Sequence, residues 1–199
     1  MPSSQLKSIA AHYAERHRRP AERELEYFRI LPEEDAVSKA ALAQLPSGKR
    51  HAHQYRVPLA ALQEGRRLLL DNLPALRKAS SFDELFELVE AMIRPISGIG
   101  ELTVYDTALR IGARLGLEPA KVYLHAGTRA GAKALGLAYR GNTIELAELP
   151  AELQTLTARE IEDVLCIYKG EFASSRQGVP EAGRHISACV PDEQAPRSC

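Results

Sequence analysis

Residues 81–116 read SFDELFELVEAMIRPISGIGELTVYDTALRIGARLG. Ser81-Phe82-Asp83-Glu84 has the capping-box pattern, in which a serine hydroxyl accepts from the amide three residues on. Phe82, Leu85, Phe86, Val89, Ile93 and Ile96 then fall on one helical face, with Asp83, Glu84, Glu87 and Glu90 off it. Gly98-Ile99-Gly100 turns the chain into a second helix over about 101–115, which Gly116 ends. On this second helix Thr103, Asp106, Thr107, Arg110 and Arg114 make a polar stripe, while Leu102, Val104, Tyr105, Ala108, Leu109, Ile111 and Leu115 cover the other sides. So enclosed a helix is expected at the centre of the molecule, with Asp106 and Arg110 spaced as an i, i+4 ion pair.

Helical punctuation extends in both directions. Upstream, Leu6, Ile9, Ala10 and Tyr13 form one stripe. A second helix carries Leu25 and Phe28, and a third opens after Pro32 on Glu33, Glu34 and Asp35 and closes near Pro46 and Gly48. Residues 49–57, KRHAHQYRV, are expected as an extended loop before Pro58, which starts a helix interrupted at Asn72 and Pro74. Downstream, Pro119 is expected to open a short helix to about Ala126, with Thr128 capping the next one and Gly136 ending it. Thr143–Leu146 is the one strand candidate. Thr157-Ala158-Arg159-Glu160 caps a last helix burying Ile161, Val164, Leu165 and Tyr168. The expected fold is therefore all-α: a compact multi-helix bundle in a single domain over 1–173, followed by a flexible tail over 174–199 that is rich in Ser, Gly, Pro and charge.

The 199 residues carry 26 Lys plus Arg against 26 Asp plus Glu. That balance conceals a gradient: residues 47–142 hold fourteen basic and nine acidic side chains, and residues 143–199 hold five and ten. A basic middle can face a polyanion or the acidic C-terminal part. No apolar run approaches the roughly 20 residues of a membrane span and the first residues lack a signal-peptide core, so no membrane association and a cytoplasmic setting are expected. Cys166, Cys189 and Cys199 have neither disulfide-framework nor zinc spacing. His51 and His53 stand two apart without an accompanying acid or cysteine cluster, so neither metal nor cofactor is expected.

The 98–103 corner has a specific physics. Glycines permit close approach and positive φ, Ile99 can plug the gap between the two helices, and the second helix begins with unpaired amides that attract anions. Ile96, Gly98, Ile99, Gly100 and Thr103 match, position by position, the apolar-x-Gly-apolar-Gly-x-x-Thr pattern, and the stretch 85–115 resembles the helix-hairpin-helix motif. The resemblance implies sequence-independent contact with the nucleic-acid backbone, double-stranded DNA first. The bare alternative is an αα-hairpin turn whose glycines serve packing alone. More distantly, the helical pattern resembles DNA glycosylases of the endonuclease III type. Where the bifunctional members of that family carry a lysine two residues after the second glycine, this chain has Leu102. Tyr105-Asp106-Thr107-Ala108-Leu109-Arg110 is similar to the family's aspartate segment but falls inside the hairpin's second helix.

The expected nucleic-acid-binding residues are Gly98, Ile99, Gly100, Thr103, Arg110, Arg129, Lys133, Lys49 and Arg50, with Tyr55 placed to stack on a base. A second expectation is a nucleic-acid-processing enzyme, glycosylase-like or nuclease-like, with Asp106 and His125 as acid and base meeting near Arg110 or Arg129. A third is a non-catalytic helical interaction module. The ordinary alternatives are an ion pair for Asp106 and a core or capping role for His125.

Overall fold

Ten α-helices and one two-stranded antiparallel sheet make up the computed structural model, which describes residues 1–176. The order is α1 (Ser3–Arg16), α2 (Arg18–Ile30), α3 (Glu33–Ala41), α4 (Leu59–Asp71), α5 (Leu73–Leu76), α6 (Phe82–Ile93), α7 (Glu101–Leu115), β1 (Val122–Tyr123), α8 (Ala126–Leu135), β2 (Thr143–Ile144), α9 (Ala158–Ile167) and α10 (Lys169–Arg176). The all-α expectation holds, and α7 packs on α2, α3 and α6 as its enclosed pattern requires.

Apolar side chains gather in two clusters. The first joins Leu25 and Phe28 of α2, Val37 and Ala40 of α3, Leu85 and Val89 of α6, and Val104, Ala108 and Ile111 of α7. The second joins Leu6, Ile9 and Tyr13 of α1 to Ala132 of α8, Ile161, Val164 and Leu165 of α9 and Phe172 of α10. Strand β1 ties them together: successive strand side chains point to opposite faces, so Val122 enters the second cluster and Tyr123 the first. Gly131 lets α8 and α9 touch backbone to backbone, since a Cβ there would lie 2.0 Å from the Leu165 carbonyl oxygen.

Five boundaries differ from the sequence reading. Helix α3 stops at Ala41, where the chain turns through Ala43 at φ +52°. Residues 49–57 are not extended throughout: Arg50 bridges to Gln44 and Ala52–Gln54 form a 3-10 turn. Residues 119–125 do not form a helix. Val122 and Tyr123 pair with Ile144 and Thr143, and a buried β-branched–aromatic pair meets its partner strand better than it meets water. Helix α8 is capped by His125, whose Nδ1 accepts from the Gly127 amide, while Thr128 Oγ1 accepts from the His125 amide. Thr128 is thus the third helical residue and not the cap. Residues 174–176, expected in the tail, belong to α10, which continues through Arg176; the rest of the expected tail, 177–199, lies outside the described residues.

Candidate nucleic-acid interface and the acid–base cluster behind it

Helix α6 ends at Ile93, and Arg94–Gly100 turn the chain into α7. Gly98 is required twice over: its φ is +93°, and a Cβ there would meet Pro58 Cδ at 2.8 Å. Ile99 is buried and points toward Gly65 of α4, so it is a plug, as expected, and presents no side chain to a ligand. Gly100 is different. Its backbone is extended (φ −98°, ψ 172°), it carries no side-chain cap, and a Cβ would find nothing within 4 Å. The first turn of α7 therefore opens outward beside two exposed glycines.

Two arginines stand at this corner. Arg94 is exposed and donates through Nη1 to the Ile99 carbonyl oxygen at 3.0 Å, a residue the sequence reading left out. Arg129, from the first turn of α8, reaches Glu101 Oε2 at 2.7 Å and Asn142 Oδ1 at 3.2 Å. The expected proximity of Arg129 to the hairpin is thus present, and its charge offsets the carboxylate at the helix start. Lys133 is exposed one turn further along α8, with Nζ 5.8 Å from the Tyr139 ring. Lys49 is exposed in the 42–58 loop.

Three expected ligands have other employment. Thr103 is buried, so only its amide belongs to the corner. Arg110 is 3% exposed and spends its guanidinium inside the protein, on Glu24 Oε1 at 3.0 Å and Gln54 Oε1 at 3.2 Å. Arg50 donates to the carbonyls of Val57 and Tyr55 and lies over the Tyr55 ring, which makes it a staple of its own loop.

Behind the corner, α7 carries Asp106 into a polar cluster. Its Oδ2 accepts from His53 Nε2 at 2.9 Å and Gln54 Nε2 at 3.0 Å, with Arg110 Nη2 at 3.8 Å. The i, i+4 contact with Arg110 is there, but the imidazole bonded to Asp106 is His53, not His125. Burial works to raise the Asp106 carboxyl, and the His53 hydrogen bond and Arg110 charge overcome it, leaving it below its ordinary value. Glu24 is held at about 2 in the same way: burial opposes ionisation, and His51 and Arg110 outweigh it. His53 shifts upward through its bond to Asp106.

His125 pairs with Glu162 of α9, and both are buried. Next to it, Tyr13 of α1 donates to Asp163 Oδ2 at 2.6 Å. Burial and the neighbouring Asp106 charge push Glu162 up to about 8; burial and Glu162 push Asp163 up to about 7. His125 is lowered by burial, with Asp106 acting against that shift. Asp106 and His125 thus sense each other across the seam between the two apolar clusters, but each is bonded to another partner. Gln54, Glu24, Glu162 and Asp163 are missing from the sequence reading, which weighs His53 only as a metal ligand. Their partners lie tens of residues away, and for the two α9 acids only the all-round burial of that helix would have pointed to them. Cys166 is pushed up to about 11 by burial, the behaviour of a packing residue and not of a nucleophile.

Among the described residues no group of three or more His, Cys, Asp or Glu could hold a metal ion, and no helix is long and apolar enough to cross a membrane. No protein-family model, curated protein or solved structure matches the chain.

Proposed function

We propose that the protein is a cytoplasmic nucleic-acid-binding protein that uses its 98–103 corner as a helix-hairpin-helix, seating backbone phosphates of duplex DNA without reading bases. The observation that carries this reading is the contrast between the two glycines. Gly98 is demanded by the turn, whereas nothing in the fold demands the open space at Gly100, and that space lies before an uncapped helix start flanked by Arg94 and Arg129. Partial positive charge on unpaired amides, with guanidiniums to either side, suits a phosphate oxygen. Thr103 contributes its amide, and Lys133 and Lys49 extend the positive surface.

Fluorescence anisotropy on a random-sequence duplex tests this. With about three phosphates engaged, affinity should fall about 40-fold between 50 and 200 mM salt. Gly100→Asp places a carboxylate before the amides in backbone geometry that any residue adopts, so it should weaken binding about tenfold or more with an unchanged melting curve. Binding that ignores both salt and the substitution would remove the reading.

A further inference from the structure

On the side of α7, an exposed imidazole is held by a half-buried carboxylate. His53 has half of its side chain exposed (51%), whereas the Asp106 side chain beneath it is 14% exposed. Bonding through Nε2 fixes that nitrogen as the donor and leaves Nδ1 as the proton-accepting atom. Asp106 is itself immobilised by Gln54 and Arg110, and Arg110 by Glu24 and Gln54 Oε1. A surface ion pair needs no such second layer of support; a group that must present one ring nitrogen in one direction does.

A neighbouring imidazole adds to the support. His51 is 7% exposed, and its ring lies 5.7 Å from that of His53. Its Nε2 faces Glu24 Oε1 at 3.2 Å, so the carboxylate that holds Arg110 also holds the ring beside His53.

We propose that His53 is the catalytic proton acceptor of a phosphodiester-cleaving site beside the hairpin corner, with Asp106 as its positioning residue. The strand on which it acts is the one the preceding reading seats at residues 98–103; the chemistry rests on different side chains. Gly100 and Asp106 are six residues apart on α7, about 9 Å along the axis. The segment continuing from His53 runs through Pro58, which abuts Gly98. A phosphate on the corner amides therefore brings a neighbouring linkage of the same strand toward His53. In the step, His53 Nδ1 takes the proton of the attacking hydroxyl as its oxygen bonds to phosphorus. The bond to the departing alkoxide oxygen breaks, and the imidazolium returns the proton to that oxygen. The hydroxyl is water on DNA, or the strand's own 2′-hydroxyl where a ribonucleotide occupies the position.

The test uses the full chain in excess over end-labelled duplexes, one all-DNA and one with embedded ribonucleotides, with a chelator throughout and bis(4-nitrophenyl) phosphate as a small diester. Cleavage is expected in at least one duplex arm, lowered about 100-fold or more in His53→Gln, with duplex affinity unchanged in that variant. Asp106→Asn should lower the rate and move its acidic limb to lower pH, because the aspartate is what raises His53 and a proton acceptor works only once deprotonated; a merely structural contact would not move the limb. A wild-type protein that binds duplex but cleaves none of the three substrates overturns the dyad and leaves the strand seat standing. So does cleavage undiminished in His53→Gln. Loss of duplex binding with His53-dependent hydrolysis of the small diester retained would overturn the strand seat and leave the dyad.

Discussion

Raising the pH from 6.5 to about 9 should destabilise this protein, and Glu162 is the main reason. A carboxyl that is pushed up to about 8 in the folded chain and titrates near 4.5 when unfolded is bound to its proton more tightly in the native state. Its stabilising contribution is complete below the unfolded value and is lost as pH rises through the folded one. From pH 6.5 to 8 the loss is about 1.4 kcal/mol per unit, or about 2 kcal/mol. Asp163, at about 7, adds about 0.4 kcal/mol over the first half unit. His125 works in the opposite sense: burial lowers it, so its contribution is present above its unfolded value and is lost as pH falls. Stability should therefore peak near neutrality. Glu162→Gln keeps an amide facing His125 without the ionisable proton. Urea unfolding at pH 6.5 and 9 should give a midpoint that drops in the wild type and drops by about 2 kcal/mol less in the variant. An identical pH response in the two proteins would refute the assignment of the buried proton to this seam.

Two packing predictions follow from the glycines, both read from denaturation midpoints. Gly98→Ala combines a left-handed backbone with a clash against Pro58 and should cost about 2 kcal/mol or more, while Gly100→Ala should change stability by less than about 0.5 kcal/mol. Gly131→Ala drives a methyl group into the Leu165 carbonyl and should cost about 3 kcal/mol by prising α8 from α9; a neutral result would mean that the two helices do not meet there.

Local signals carried much of the fold. The start of α6 at the Ser81 cap, the end of α7 at Gly116 and that of α8 at Gly136 all depend on residues within a few positions, and the two glycines sit left-handed as terminators. Where a partner is distant, the local reading failed. Val122-Tyr123 after Pro119 looks like the first turn of a helix until Thr143-Ile144, some twenty residues on, supplies the ladder. The cap of α8 was misplaced because histidine is an unusual capping residue, and Thr128 belongs to the same box.

The corner was legible because its turn is contiguous in sequence. The acid–base cluster was not. Asp106 showed its helical neighbour Arg110, but His53 reaches it from a loop 53 residues earlier in the chain, and Glu162 and Asp163 look like the polar side of α9 until tertiary packing encloses them. Arg110 and Thr103 had the right spacing for a solvent-facing stripe. The packing of α2 and the 42–58 loop over α7 turned that stripe inward.

The most direct measurement is an amide NMR titration of the full chain with a short random-sequence duplex. The proposed strand seat requires the largest shifts at the amides of Gly98, Gly100, Glu101, Leu102 and Thr103, fading as salt is raised. Shifts that leave these five amides unmoved and fall instead on another face, or no shifts at low salt, would contradict it.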